Sequence, residues 1–400
     1  MVRVEEAEKI ILQQCKDFET EIISFDNCLG RVLAENIIAD RDLPAFDRVT
    51  MDGIAINHEA FRNGERSFKI KATQSAGEKP IDIDADDECI EIMTGAVLPS
   101  TTDTVIPYEE IEIKDGIATV KTERPLIHQN IHSKGKDKKQ NEILVEANQF
   151  ITPAIIAIAA TVGKTSLLVK KNPAIVIIST GDELIEIDET PTAFQIRRSN
   201  GYTLRAVLQQ HGLRADIQHL PDDQKIILEK LEYSINNYDI ILLTGGVSMG
   251  KFDYIPSALE NLRVKKLFHK VQQRPGKPFW FGSHQNGALV FAFPGNPVSS
   301  FMCLYRYFLP WLRISWQVKT DKNFAILNEN LTFKPSLQYF LQVKLQNNEK
   351  GILLASPVEG NGSGDFTNLL QTDAFMELPL EKVDFKKGEV FPIWVFKQIL

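Results

Sequence analysis

The chain has 400 residues, of which 43% are hydrophobic and 24% charged, with a formal net charge of -8. That balance belongs to a soluble globular protein, and the length divides into two to four units better than into one core. An acidic chain is a poor general nucleic-acid binder, so an anionic ligand would have to find positive charge locally.

Residues 4–18 carry apolar side chains at helical spacing (Ala7, Ile10, Ile11, Cys15, Phe18) and predict a helix; residues 26–39 repeat the pattern less clearly. No charged segment followed by an apolar one opens the chain, so no signal peptide is expected. From residue 68 to about 145 the texture changes to short β-rich runs, such as Glu88-Cys89-Ile90-Glu91-Ile92, separated by Gly, Pro and Asp turns. The apolar stretch 151–163 is too short to span a bilayer and predicts a buried helix, with Thr152 as N-cap and Pro153 at its first position. Residues 173–314 alternate strand and helix: strands over 174–179, 215–220 and 239–244, and helices over 200–211, closed by Gly212, and 224–235. Such alternation predicts a mostly parallel sheet covered on both faces, with ligands bound beyond the carboxyl ends of its strands. Strand-like runs after residue 321 predict a small β barrel or sandwich.

The fold class expected is therefore multidomain α/β. A helical N-terminal domain (1–44 and 138–170) carries an inserted β-rich domain (45–137). The α/β domain (171–317) and a C-terminal β domain (318–400) follow. Cys15, Cys28, Cys89 and Cys303 are scattered with no Cys-x-x-Cys pair, which disfavours a zinc site or a disulfide framework and fits a reducing cytoplasm.

Four constellations carry chemistry. Gly245-Gly246-Val247-Ser248-Met249-Gly250-Lys251 follows a strand with nearly the spacing of a phosphate-binding P-loop, but Phe252 stands where a Ser or Thr hydroxyl should hold Mg²⁺. A Walker nucleotidase is thereby disfavoured, while a Gly-rich turn still offers backbone N–H groups to phosphate and Asp253 can bind a bridging cation; the plainer alternative is a tight turn with a capping Asp. Glu183, after Gly181-Asp182 at a strand end, can join Asp253 and Asp222 or Asp223 around a hard cation, for which Mg²⁺ is the natural ion; the alternative is a carboxylate placed at a helix start. Arg274-Pro275-Gly276-Lys277 sets two cations three residues apart on a stiffened turn suited to a small dianion or phosphate, or merely to the surface. Pro294-Gly295-Asn296-Pro297-Val298-Ser299 follows an apolar strand, and its backbone N–H groups with Ser299 could complete an anion pocket.

The segment Phe46-Asp47-Arg48-Val49-Thr50-Met51-Asp52-Gly53-Ile54 adds two carboxylates and a Met-Asp-Gly turn with no evident structural need. Together with Met93-Thr94-Gly95-Ala96, Ser179-Thr180-Gly181-Asp182-Glu183-Leu184, the Gly245–Gly250 loop and Pro294-Gly295-Asn296-Pro297, it resembles the molybdopterin molybdenumtransferase family, MoeA and the gephyrin E domain, along nearly the whole chain. The resemblance implies that Glu183 is needed for activity, and that Ser248 and Asp253 face the pyrophosphate of a nucleotide-linked pterin. It also implies a homodimer whose site joins the sheet domain of one subunit to Asp52, Thr94 and Asp137 of the other. Some positions depart from the pattern. His132 and Ser133 stand where an arginine is usual, the following turn is Gly135-Lys136-Asp137, and the usual arginines around Phe340 are replaced by Leu337 and Gln342. Ser363, in Asn361-Gly362-Ser363-Gly364, still occupies a plausible anion-binding loop.

The function this implies is Mg²⁺-dependent, cytoplasmic insertion of molybdenum from molybdate into adenylylated molybdopterin with release of AMP. Partners would include the molybdopterin adenylyltransferase and recipient molybdoenzymes, with no nucleic acid and no membrane. The rivals are a molybdopterin adenylyltransferase, which is typically the sheet domain alone, and a gephyrin-like scaffold.

Overall fold

The computed structural model describes residues 1–246, 254–319 and 321–397. Contacts within the chain separate two compact units. One comprises Met1–Ala34, Asn148–Thr152 and Ser166–Leu400, the other Glu35–Ala147 and Pro153–Thr165.

In the larger unit, the segments that alternate in sequence build a six-stranded mixed sheet. Strand Ile175–Thr180 is flanked by Ala215–Leu220 and Ile240–Thr244, with Leu289–Phe293 beyond, all parallel. Trp280–Ser283 and Lys265–His269 then complete the sheet antiparallel, so the expected mostly parallel sheet carries a two-stranded antiparallel edge. Strands Ile175–Thr180, Ile240–Thr244 and Leu289–Phe293 are buried at every position, as continuous apolar runs covered on both faces must be. One face packs Ile177, Leu242, Phe291 and Phe293 against Phe279, Phe308 and Trp311. The other face packs Ile178, Leu243 and Val290 against Leu231 and Leu259.

Beyond helix Leu309–Ser315 the same unit forms a closed barrel. Gln338–Asn347, Leu353–Pro357, Asn323–Leu327, Val390–Val395 and Ala374–Leu378 pair in that order, and the last returns to the first. Of the barrel and the sandwich left open by the sequence, the barrel is the one formed; closure leaves no free edge among these strands. The two-residue strand Gln273–Arg274 joins it beside Gln338 and Tyr339.

The smaller unit is built on a second six-stranded sheet. Its strands run Thr104–Pro107, Gly53–Ile56, Glu88–Ile92, Ser67–Gln74, Ile117–Val120 and Ile111–Lys114. Gly53 lies in this sheet where the neighbouring backbone leaves no room: a Cβ there would stand 2.0 Å from the Ile106 carbonyl oxygen.

Two expectations are corrected. Residues 26–39 form no α-helix; a short 3₁₀ turn, Phe25–Asn27, is followed by Ile37–Ile38 paired with Ile143–Val145. The apolar residues there reach the core from extended backbone, with Cys28, Val32, Leu33 and Ile37 all at 2% exposure or less. The apolar helix is present as Pro153–Thr161, but only Ile155 and Ala159 are fully buried. Ala154, Ala157 and Ala160 face out, at the small apolar cost that alanine carries.

Helix Asn200–Gln210 ends at His211, which burial, with the Arg313 guanidinium adding to it, pushes down to about 4. The folded state thus binds fewer protons than the unfolded chain between pH 4 and about 6.5, so stability rises with pH across that window and is fully present above it. Replacing His211 with Asn is expected to flatten the acid limb of stability against pH by up to about 2 kcal/mol, as read by urea unfolding. An unchanged slope would refute the linkage.

Candidate functional site

Parallel pairing sets Thr180 beside Leu220, Ser179 beside Thr244, and Thr244 beside Phe293. Four loops therefore leave the sheet together at its carboxyl edge, where the chain order reverses around strand Ile175–Thr180 and a crevice is expected. Gly245 donates its N–H to the Phe293 carbonyl at 3.2 Å, and a Cβ on Gly295 would meet the Gly245 Cα at 3.5 Å. Asn200 Nδ2 donates to the Gly295 carbonyl at 2.6 Å, a clamp that sequence reasoning missed because nothing local marks a helix-start Asn for it. Gly245 and Gly246 both take positive φ, +92° and +66°. A Cβ on Gly246 would press within 2.7 Å of Thr180 Oγ1 and Ile255 Cγ1, so a glycine is required there. Ser248 and Asp253 lie outside the described residues.

Glu183 and Asp222 are exposed at this edge, and Asp182 Oδ1 accepts the Asp222 N–H at 3.0 Å. Asp223 is engaged otherwise. Its Oδ1 accepts the N–H groups of Lys225 and Ile226, both at 2.9 Å, capping helix Gln224–Asn237. His219, from the neighbouring strand, brings Nδ1 to 3.2 Å from Ser179 Oγ; desolvation and then the Arg198 guanidinium hold it below its usual value. Arg198 is itself paired with Glu186 and only 8% exposed. Among the described residues no three His, Cys, Asp or Glu side chains could together hold a metal ion. Two exposed carboxylates suit Mg²⁺ all the same, since that ion commonly takes one or two carboxylates and completes its shell with phosphate oxygens and water.

A second feature of the larger unit is a cavity of about 800 Å³ beside the barrel, lined by Arg274, Tyr339, Gln342, Glu359, Asn361 and Ser363 among others. Ser363 is tied to the Pro-Gly-Asn-Pro turn: Asn296 Nδ2 donates to its Oγ at 2.7 Å, and Val298 donates its N–H to its carbonyl at 3.2 Å. Pro294, Asn296 and Pro297 thereby join the sheet's carboxyl edge to the cavity wall. Ser299 does not share in this, being 2% exposed on helix Pro297–Cys303, so the expected hydroxyl of an anion pocket faces packed protein. Lys277 is exposed on the same turn as Arg274 but does not line the cavity.

The smaller unit gathers its own set. Asp52 Oδ1 accepts the Thr94 N–H at 2.6 Å, and that bond, helped by the Thr94 hydroxyl, holds the Asp52 carboxyl below the usual carboxylate range. Strand Ile131–His132 pairs with Arg48–Val49, placing His132 beside Arg48, and His132 Nε2 lies 2.8 Å from Asp137 Oδ1. The nonapeptide, the Thr94 turn and the Asp137 turn, distant in sequence, thus lie together. Arg48 was legible only as part of the nonapeptide; its partner appears once two short strands pair.

The chain matches the MoeA N-terminal region (domain I and II) over residues 2–163, a probable molybdopterin binding domain over 176–314, and the MoeA C-terminal region (domain IV) over 325–396. It is 38% identical over 399 residues to the molybdopterin molybdenumtransferase of Synechocystis, spanning 99% of this chain and all of that one. The chain belongs to the MoeA family. That membership makes it an enzyme of molybdenum cofactor biosynthesis. A relative of the same name from Staphylococcus epidermidis is 29% identical over 406 residues, covering 98% of this chain and 95% of its own. The crystal structure of a molybdopterin biosynthesis moeA protein from Pyrococcus horikoshii superposes with a TM-score of 0.84 at 28% identity, over 99% of this chain and all of that one.

The turn that carries Arg274 depends on Gly276, at φ +89°. A Cβ there would lie 2.7 Å from Gln273 Nε2 and 2.9 Å from Cys303 Sγ. Gly276→Ala is expected to lower stability by about 1 to 3 kcal/mol in chemical denaturation. A loss within a few tenths of a kcal/mol would show that the turn relaxes freely.

Proposed function

We propose that this MoeA-family enzyme inserts molybdenum from molybdate into adenylylated molybdopterin and releases AMP. The observation that carries the reading is the convergence, at one sheet edge, of a two-glycine turn, in which the Gly245 N–H is spent on the Phe293 carbonyl and that of Gly246 follows it, with the exposed carboxylates Glu183 and Asp222. Backbone N–H donors suit a pyrophosphate, and carboxylates suit the cation that accompanies it. Glu183 and Asp222, with Asp253, would hold Mg²⁺, which when bound neutralises phosphate charge. Glycine at 246 lets the turn pack closely against Thr180 and Ile255 at this edge, because a Cβ there would collide with both. Asp52, kept ionised by the Thr94 N–H, supplies an acceptor. Arg274 and Lys277 hold oxyanions on the turn shaped by Gly276.

We place Asp52, Thr94 and Asp137 in the site as loops contributed by the second subunit of a homodimer. Exposed apolar side chains are consistent with pairing, since Phe194 is 90% exposed and Ile196 61%. The location proposed is cytoplasmic; no helix among the described residues is long and apolar enough to cross a membrane. An adenylyltransferase reading accounts for the sheet domain but leaves the smaller unit and the barrel without a role, and a scaffold needs none of the exposed carboxylates.

The experiment is AMP release from adenylylated molybdopterin with molybdate and Mg²⁺. Glu183→Gln and Asp52→Asn should each abolish turnover with little change in thermal melting, and mixing the two inactive proteins should restore part of it through hybrid dimers. Near-normal turnover by Glu183→Gln at low Mg²⁺ would remove it from the metal site, and failure of complementation would remove the shared one.

Arg274→Ala and Lys277→Ala should raise the molybdate concentration for half-maximal turnover by about ten-fold, as loss of a charged hydrogen bond implies. If molybdate dependence held while pterin affinity collapsed, both residues would instead be phosphate clamps.

A further inference from the structure

Arg48, His132 and Asp137 form a hydrogen-bonded chain within the smaller unit. His132 and Arg48 are direct partners in the antiparallel pair, with Arg48 Nη2 at 3.3 Å from His132 Nδ1. On the other side of the ring, Nε2 lies 2.8 Å from Asp137 Oδ1. A guanidinium has only donors to offer, and an ionised carboxylate only acceptors. The imidazole therefore meets a donor at Nδ1 and an acceptor at Nε2. One neutral form alone satisfies both, with Nδ1 bare and the proton on Nε2.

This matters for Asp137 because little else fixes its carboxylate. The backbone is held, with the Asp137 N–H donating to the Leu43 carbonyl at 2.9 Å, but the side chain is 58% exposed. An exposed aspartate without such a bond samples several rotamers, and a catalytic group loses effectiveness when its orientation is not maintained. The ring, only 24% exposed, is the stiff element of the chain and directs one carboxylate oxygen, leaving Oδ2 for a ligand.

We propose that His132, its tautomer set by Arg48, is the positioning residue that aims Asp137. The proposal rests on the reading of Asp137 as part of the active site. Arg48 acts one step further back: it touches no reacting atom, and it decides which ring nitrogen carries the proton.

The test has a spectroscopic arm and a kinetic arm. In full-length protein labelled with ¹⁵N-histidine, at a pH above the ordinary histidine range of about 6.5, long-range ¹H–¹⁵N spectra distinguish the tautomers. His132 is assigned among the seven histidines by its loss in His132→Gln. The expected wild-type signature is a bare Nδ1 with a protonated Nε2, giving way to a tautomer mixture in Arg48→Ala. A protonated Nδ1, or a mixture already in the wild type, would overturn the proposal.

In the AMP-release assay, His132→Ala should lower kcat about ten-fold with KM little changed, the effect of losing one charged hydrogen bond. His132→Gln should recover most of that loss, because its amide offers both an acceptor to Arg48 and a donor to Asp137. If His132→Ala stayed fully active while Asp137→Asn was dead, the positioning role would be refuted and the reading of Asp137 would stand. Full activity of Asp137→Asn would overturn that reading and the proposal with it.

Discussion

Backbone hydrogen bonding between the parallel strands Ile175–Thr180, Ile240–Thr244 and Leu289–Phe293 decides where the crevice loops begin. A shift of one residue in any of these strands would move buried side chains to the opposite face, where the other core already fills the space. Register is therefore tightly specified by packing on both sides. Gly245 and Gly295 inherit from it an approach so close that a Cβ on Gly295 would touch the Gly245 Cα, and the Asn200 clamp on the Gly295 carbonyl reaches the same edge from the covering helix.

The part of the fold visible in the sequence is the part written in periodicity. Alternating strands and helices over 174–244 appear within a residue or two at each end, because buried parallel strands are uninterrupted apolar runs, one helix closes near Gly212 and the other opens on the Asp223 cap. Residues 26–39 misled for a physical reason: extended segments that cross a core edge also present apolar side chains at irregular intervals, and a short window does not separate that from helix. Two-residue strands such as Arg48–Val49 and Ile131–His132 leave no periodic trace at all. Their pairing depends on the sheet beside them.

Site legibility divides along the same line. Glycines that need positive φ or close approach announce themselves by type and spacing, and Gly181, Gly246 and Gly276 each stand where a Cβ would collide. Polar side chains do not, since the same residue serves a cap or a ligand equally well. Asp223 was a candidate metal ligand, and its Oδ1 is taken by two backbone N–H groups at the start of a helix. Ser299 was a candidate anion donor, and it is buried. In each case the competing use was the satisfaction of backbone or the filling of core, which only three-dimensional packing reveals.

Electrostatics gives the carboxyl edge its remaining logic. Asp182, Glu183, Asp222 and Asp223 lie there in a chain whose net charge is already -8, and a pyrophosphate brought among them meets repulsion. The described cation near His219 does not relieve it, because Arg198 is paired with Glu186 and nearly fully buried. The Gly245 N–H is already given to the Phe293 carbonyl, and a backbone N–H such as that of Gly246 carries only partial positive charge. Carboxylates exposed toward an anionic substrate become useful when a cation stands between the two, which supports the Mg²⁺ reading from charge balance independently of sequence motif. The turn at Arg274 and Lys277 differs, because full positive charge is present in the side chains themselves and an oxyanion would need no intervening cation there.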